Sequence, residues 1–531
     1  MVIEPCIIVG TGPAGLMAAR AAVAAGIRPT IIDAGERESS ELSQRRQASI
    51  TALAGGEGLP AWAAQPPQSA RGPIPVKRIL GSDESHRPHP GRAGGDATAE
   101  RLWVNAVGGF SRVWGCALAT FTDADMSDWP PSARLTRTDY EAAADAVHIA
   151  GHDSPVYRMI GPPRAPDVEL SAPRALSALT SATGGPWLTG PSTLALAGHN
   201  GLPHCRNCGT CLTGCPWRVL FDAHDAITAL ADSGAVTLRT GELVVGVEEH
   251  PAAVTVTART ACGEALSLRT DRLILACGSV GTTILASRLL GRALRLRDCQ
   301  AFTLPMIDVS PRSRGGRVSI DADAAGSLAH ATLARVFLER CGTDGRTALH
   351  VQAYPPGPEI RAALQRTLLD SRLPRALRGG ATEILADRAM ACHGFLPAAC
   401  SGSLVIDGRS MTQHGDTARG SWALTREVGN TARLRREIRL ITRLLARHGY
   451  ATLAALARVE PVGGGYHHSA SLPMGSPDGT DELGRLPGSS RIHLADAASL
   501  PLLPPQPPTL SIMAHAHRVM SRIIRAGLLS A

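Results

Sequence analysis

Residues 1–35 read MVIEPCIIVGTGPAGLMAARAAVAAGIRPTIIDAG. Val2 to Gly10 has the apolar run of a short buried parallel strand, and Leu16 to Ala25 reads as an alanine-rich helix. Pro29 to Ile32 reads as a second strand that ends at Asp33. Gly10, Thr11, Gly12, Pro13, Ala14 and Gly15 lie between the first strand and the helix in the order GxGxxG. Gly10 permits the tight turn, Gly12 lets backbone approach a pyrophosphate, and Gly15 lets the helix pack closely on the sheet. The helix N-terminus attracts phosphate charge. Asp33, about 20 residues on, is placed to accept from ribose hydroxyls. A lone GxGxxG is weak evidence, but strand, helix and terminal acid together specify a dinucleotide. They do not say which one.

Working outward, a chain of 531 residues exceeds the size at which one core stops growing, so more than one structural domain is expected. Apolar residues make up 44% and charged residues 19%, the proportions of an ordinary globular protein. The net charge of +8 comes from scattered arginines, with no base-reading or stacking motif beside them, so nucleic-acid binding is unsupported. No run approaches a membrane span, and the first residues enter a strand at once, leaving no room for a leader. Those two features set cytoplasmic location as the expectation. In that compartment twelve cysteines are not expected to form a disulfide framework.

The far end narrows the cofactor. Gly465-Tyr-His467-His468-Ser-Ala-Ser-Leu-Pro-Met474-Gly475 is followed by Arg491-Ile-His-Leu-Ala-Asp496-Ala497, then by Pro508-Thr509-Leu-Ser-Ile-Met513-Ala514 opening a helix. Inside the chain stand Asn105-Ala-Val-Gly108-Gly109-Phe-Ser111-Arg-Val-Trp114-Gly115 and Asp271-Arg-Leu-Ile-Leu-Ala276-Cys277-Gly278-Ser279. Together these stretches resemble the glucose–methanol–choline family of FAD-dependent oxidoreductases, the Trp-Gly form being that of its sugar-oxidising branch. The match runs from residue 2 to residue 525 and is poor in the middle third. It implies an α/β fold, with a Rossmann-like FAD-binding domain and a substrate domain built on an antiparallel sheet. It also implies that Gly108, Gly109, Ser111, Trp114, Gly115, Val245, Ala276, Gly278, Asp496, Ala497, Pro508 and Thr509 join the first turn around the flavin nucleotide.

By the same resemblance His467 is the catalytic histidine. Oxidising an alcohol removes a hydroxyl proton while a hydride goes to the flavin, and a neutral imidazole accepts that proton near physiological pH. The family pairs this histidine with a second His or Asn just before the Pro-Thr of the last helix. Here Pro507 occupies that position, and its side chain neither donates nor accepts. Three readings stay open: Gln506 replaces the partner, His467 works alone, or His468 contributes. His515 and His517, two apart on the last helix, read as structural.

Cys205, Cys208, Cys211 and Cys215-Pro216 have the spacing C-x2-C-x2-C-x3-C-P, the bacterial ferredoxin run for a [4Fe–4S] cluster. With one run only, the fourth ligand is Cys215 folding back or a distant cysteine such as Cys277. Disulfides, zinc and free thiols are the competing readings. A cluster passes single electrons and favours a dehydrogenase with an external acceptor over an oxygen-consuming oxidase.

The remaining sequence sets boundaries. The FAD-binding domain is expected from residues 1–125, 225–299 and 461–531, a helical and cysteine region at 126–224, and the substrate domain at 300–460. Residues 41 to 100 read as an irregular excursion, 128 to 149 as a capped helix, and 430 to 448 as an amphipathic helix. Short strands are expected at 332–339, 347–353 and 402–406. The function expected is oxidation of a sugar-like or aminoglycoside-like alcohol, with an alcohol oxidase and a non-catalytic electron-transfer flavoprotein as rivals. The pattern is also similar to flavin dehydrogenases acting on the 6′-hydroxyl of paromamine-type precursors.

Overall fold

The computed structural model describes residues 3–54, 102–180, 185–197, 205, 211–215, 217–260, 262–309, 333–356, 388–409, 422–452 and 454–530. The first strand is Ile3–Val9 and the first helix Pro13–Ala24, with Thr30–Ile32 following as the second strand. These strands lie in a sheet ordered Thr237–Arg239, Thr30–Ile32, Ile3–Val9, Ala265–Leu275, Val254–Thr260, Glu242–Glu249. The first four are parallel neighbours, and the last two add an antiparallel hairpin. Ile492–Leu494 runs parallel to the end of Ala265–Leu275, which brings the C-terminal motif beside the first turn. Alternation along Ile3–Val9 divides the core. Cys6 and Ile8 face the helix Thr509–Arg525, whereas Ile7 and Val9 face the hairpin and the helix Ser279–Leu290.

A second sheet is antiparallel, ordered Tyr450–Ala451, Ala301–Asp308, Ala389–Phe395, Thr347–Tyr354, Val336–Cys341, Trp187–Pro191. One face carries Phe302, Leu304, Met306, Val336, Leu338, Leu349 and Val351, and packs on Leu434, Ile438, Ile441 and Leu445 of the helix Thr431–Arg447. The other face is polar and aromatic, with Phe337, Glu339, His350, Gln352, Tyr354, His393 and Phe395. The two expected parts of the fold are therefore both present.

The helix Thr431–Arg447 follows the expected 3.6-residue pattern and is capped by Asn430, whose Oδ1 accepts from the Arg433 N–H at 3.0 Å. Glu437, on its packed face, is 1% exposed and takes both guanidinium arms of Arg340, at 2.6 and 2.5 Å. Arg340→Met will strand that buried carboxylate. We expect denaturant unfolding to show a loss of about 3–5 kcal/mol, the range for breaking one side of a buried pair.

Two expectations shift. Residues 41–54 are not irregular: Ser40–Ala54 is a helix, tied down by Arg46, whose Nη1 donates to Glu38 at 2.6 Å. Its weak apolar periodicity hid it, because its anchor is an ion pair rather than an apolar stripe. The rest of that expected excursion lies outside the described residues. The capped helix near residue 140 is shorter than expected, Arg137–Ala144, since Pro130 and Pro131 cannot sit inside a helix. Its Thr136 and Asp139 form a capping box. Among the described residues no helix is long and apolar enough to cross a membrane.

Candidate active site

The Gly10–Gly15 turn is held from behind. Asp33, half-buried, accepts from the Thr11 N–H at 2.8 Å, the Thr11 hydroxyl at 2.5 Å and the Gly35 N–H at 2.7 Å. Burial raises the pKa of its carboxyl, against the pull of those hydrogen bonds. Thr11 Oγ1 in turn accepts from the Gly108 N–H at 2.8 Å, so the first turn and the Gly108-Gly109 loop are one unit. Gly12 caps the first helix without any side-chain bond, and Pro13 follows it. The N–H groups at that end therefore carry no side-chain cap.

The loop Gly108 to Gly115 is shaped by its own side chains. Ser111 Oγ donates to Gly108 O at 2.6 Å and accepts from the Ala223 N–H at 2.9 Å. Trp114 donates its indole N–H to Phe221 O at 3.0 Å. Both residues, expected at the cofactor, hold the loop in place. Arg112 ties the same loop to Glu38 and Asp222.

Across the turn, Ala276 N–H donates to Val9 O, and Gly278 caps the helix Ser279–Leu290 with φ +79°. Asp496 accepts from Thr282 Oγ1 at 2.5 Å and the Ala498 N–H at 2.9 Å, and burial pushes its carboxyl up to about 6. Ala497 is buried beside it. Pro508 and Thr509 start the last helix, again with no side-chain cap. Val245 sits on the hairpin strand Glu242–Glu249 and accepts from Arg288 through its carbonyl at 3.1 Å. Three helix starts, at Gly12, Gly278 and Pro508, therefore lack a side-chain cap, and all three belong to segments that flank the parallel sheet. A Cβ on Gly12 would meet only Gly108 O, at 3.9 Å.

The two adjacent histidines part company. His468-Ser469 pairs with Arg297-Asp298 as an edge strand, so successive side chains point to opposite sides. His468 is buried, with Nε2 2.9 Å from Gly463 O and 3.5 Å from Asp298 Oδ1. Burial pushes its imidazole down to about 4 and the Asp298 carboxyl up to about 7. His468 thus points into the core, away from the side on which His467 lies. His467 turns the other way and stacks on Phe395, ring centroids 4.4 Å apart and planes at 16°. Tyr466, with φ +60°, meets Phe110 of the Gly108 loop edge-on at 5.5 Å. His467 is thus fixed at the junction of that loop and the polar face of the second sheet. Gly465 makes the approach possible, since a Cβ there would lie 2.1 Å from Cys299 O.

Gln506 is fully buried. Its Nε2 donates to Thr347 Oγ1 at 2.6 Å and Asp125 Oδ2 at 3.1 Å, leaving Oε1 without a partner among the described residues. An amide so tethered presents a fixed acceptor. Asp125 and Thr347, which aim it, carry no sequence signal, being 381 and 159 positions away. Phe395 and Phe110 carry none either. His515 bonds Ser499 Oγ at 2.8 Å in the core, as a structural residue does.

Cys205, Cys211 and Cys215 pack against the core beside Trp114 and Cys116, while Cys208 lies outside the described residues. Among the described residues no group of three or more His, Cys, Asp or Glu gathers into a metal site, so the described part of the run does not itself form one. Cys277 sits across the parallel sheet, 3.3 Å from Thr282 Oγ1, in the opposite core layer.

No protein-family model matches the chain, and no curated protein matches it in sequence. In structure it is similar to pyridoxine 4-oxidase from Mesorbium loti, with a TM-score of 0.58 and 15% identity. That likeness covers 98% of this chain and 99% of that one. The fold described above is thus shared over nearly the whole of both chains.

Proposed function

We propose that the chain is an FAD-dependent dehydrogenase that oxidises an alcohol to an aldehyde or ketone, with His467 as the base. The observation that carries this reading is the position of His467, held between the Gly108 loop and the polar sheet face. The structural likeness to an enzyme named as an oxidase supports it. FAD, when bound, supplies the hydride acceptor. The Gly10–Gly15 turn and the uncapped helix starts would hold its phosphates, and Asp33 keeps the turn in shape. His467 takes the hydroxyl proton on a ring nitrogen, and Gln506 Oε1 accepts a hydrogen bond that orients the substrate.

Glu339, His350, Gln352 and Tyr354 form a hydrogen-bonded row on the same face, Tyr354 donating to Gln352 Oε1 at 2.9 Å and His350 meeting Glu339. A polar wall of this kind suits a hydroxyl-rich substrate, a sugar or an aminoglycoside of the paromamine type. The ferredoxin spacing of Cys205, Cys208, Cys211 and Cys215 supports a [4Fe–4S] cluster as a second redox group. The name of the structural neighbour favours the alternative, an FAD alcohol oxidase with a structural cysteine loop.

The test is an anaerobic visible spectrum of the purified protein with iron and sulfide assays, followed by titration of sugars and aminoglycosides. Flavin bands that bleach with an alcohol support the reading, and flavin that no alcohol bleaches counts against it. Peroxide formed in air by iron-free protein favours the oxidase. Gln506→Leu should slow bleaching about 10–100-fold at unchanged flavin content.

A further inference from the structure

The environment of Phe395 has no place in the scheme above. Its ring stacks with two imidazoles, His467 at 4.4 Å and 16° and His393 at 4.5 Å and 28°. Phe395 is 4% exposed and lies on an interior strand, paired to Ala301 and His350. His350, whose ring is 6.2 Å away, is itself fixed by Glu339 and Gln352. The phenyl ring therefore has nowhere to retreat. On the other side, the His467 carbonyl accepts from the Cys299 N–H at 2.9 Å, and Tyr466 and Ala470 both hold left-handed φ values, +60° and +62°. Left-handed backbone at two non-glycine residues costs free energy and persists only where the surroundings over-determine it. Left-handed backbone on both sides of His467 thus flanks an imidazole stacked on one immobile ring.

We propose that Phe395 is the positioning residue for His467, fixing the plane of the imidazole and stabilising the imidazolium that forms when it takes the substrate proton. This rests on the reading of His467 as the base. A ring held face to face can turn only within its own plane, so the in-plane lone pair stays aimed along one sheet of directions. The neutral imidazole gains only dispersion from the stack. The protonated ring adds attraction between its positive charge and the negative phenyl face. That gain arises only after proton transfer, which is where a contact raises rate rather than merely binding. Titratable or charged groups around the pair include His393, stacked on the same phenyl ring, the Glu339–His350 pair beside it, and, behind the loop, Asp298 and His468 with Cys299, Glu460 and Arg426.

The experiment compares flavin-loaded wild type, Phe395→Leu, Phe395→Tyr and His467→Ala by anaerobic stopped-flow flavin reduction from pH 5 to 9. Losing the phenyl face lowers the basicity of His467, so its neutral form persists to lower pH. In Phe395→Leu the acid limb should move about one pH unit lower, the size of a cation–π contact of about 1.4 kcal/mol, and the plateau should fall about tenfold. Phe395→Tyr, which keeps the ring, should retain the wild-type limb. Phe395→Met replaces the Leu variant if the latter fails to hold flavin. A His467→Ala protein that still reduces its flavin at the wild-type rate defeats the base reading and this inference with it. If His467→Ala is inactive, an unshifted limb in Phe395→Leu, or an equal shift in Leu and Tyr, overturns the Phe395 inference alone.

Discussion

His467→Ala should keep its flavin and lose alcohol-dependent bleaching by about 10³-fold, within the 10²–10⁴ range of a general base. The loss should fall on the chemical step. The substitution deletes a side chain whose backbone is independently held by the Cys299 N–H, so the strand His468-Ser469 stays paired with Arg297-Asp298. His468 cannot take over. It faces the core, bonds Gly463 O, and is pushed by burial to about 4, which leaves a weak base pointing away from Phe395. Single-turnover reduction under anaerobic conditions measures the effect directly, because it isolates the step in which the hydroxyl proton leaves. Wild-type bleaching by the variant would instead show that His467 is not the base.

The second large effect is expected at the first turn, where two glycines a few residues apart should fail in different ways. A Cβ on Gly15 would stand 1.9 Å from Gly10 O and 2.9 Å from Gly10 C, both backbone atoms of the same turn. Neither can give way, since Gly10 has φ +106° and its own Cβ position is 2.4 Å from Ala276 O. Gly15→Ala must therefore push the first helix off the sheet. We expect more than about 3 kcal/mol of destabilisation and protein that purifies without flavin. Gly12→Ala is the contrast. Its Cβ meets nothing closer than 3.9 Å, so the fold should survive while the added methyl fills the phosphate cradle. Thermal unfolding and the flavin-to-protein absorbance ratio separate the two outcomes. Gly12→Ala with full flavin occupancy would show that this turn is not where the pyrophosphate lies.

Much of this was legible in one dimension because local chemistry dictated it. The GxGxxG turn needs glycines at those positions whatever surrounds it, and a strand, a helix and Asp33 follow in a fixed order. The helix Thr431–Arg447 was readable because its apolar stripe repeats at helical spacing. Apolar periodicity failed where polar contacts anchor the helix. Ser40–Ala54 depends on the Arg46–Glu38 contact, and the start of Arg137–Ala144 depends on a capping box beyond two prolines.

The candidate site divides the same way. The sequence by itself determined a GxGxxG turn, a histidine pair before Met474-Gly475, and a proline where a second catalytic side chain was expected. Only the tertiary structure decided which way each histidine faces, because edge-strand pairing with Arg297-Asp298 sends His468 into the core and His467 toward Phe395. It also placed Gln506 Nε2 on Asp125 and Thr347, and the His467 ring on Phe395. A motif records which residues neighbour one another along the chain. Proton transfer depends on which rings and lone pairs meet across it, and those meetings come from sheet register and burial.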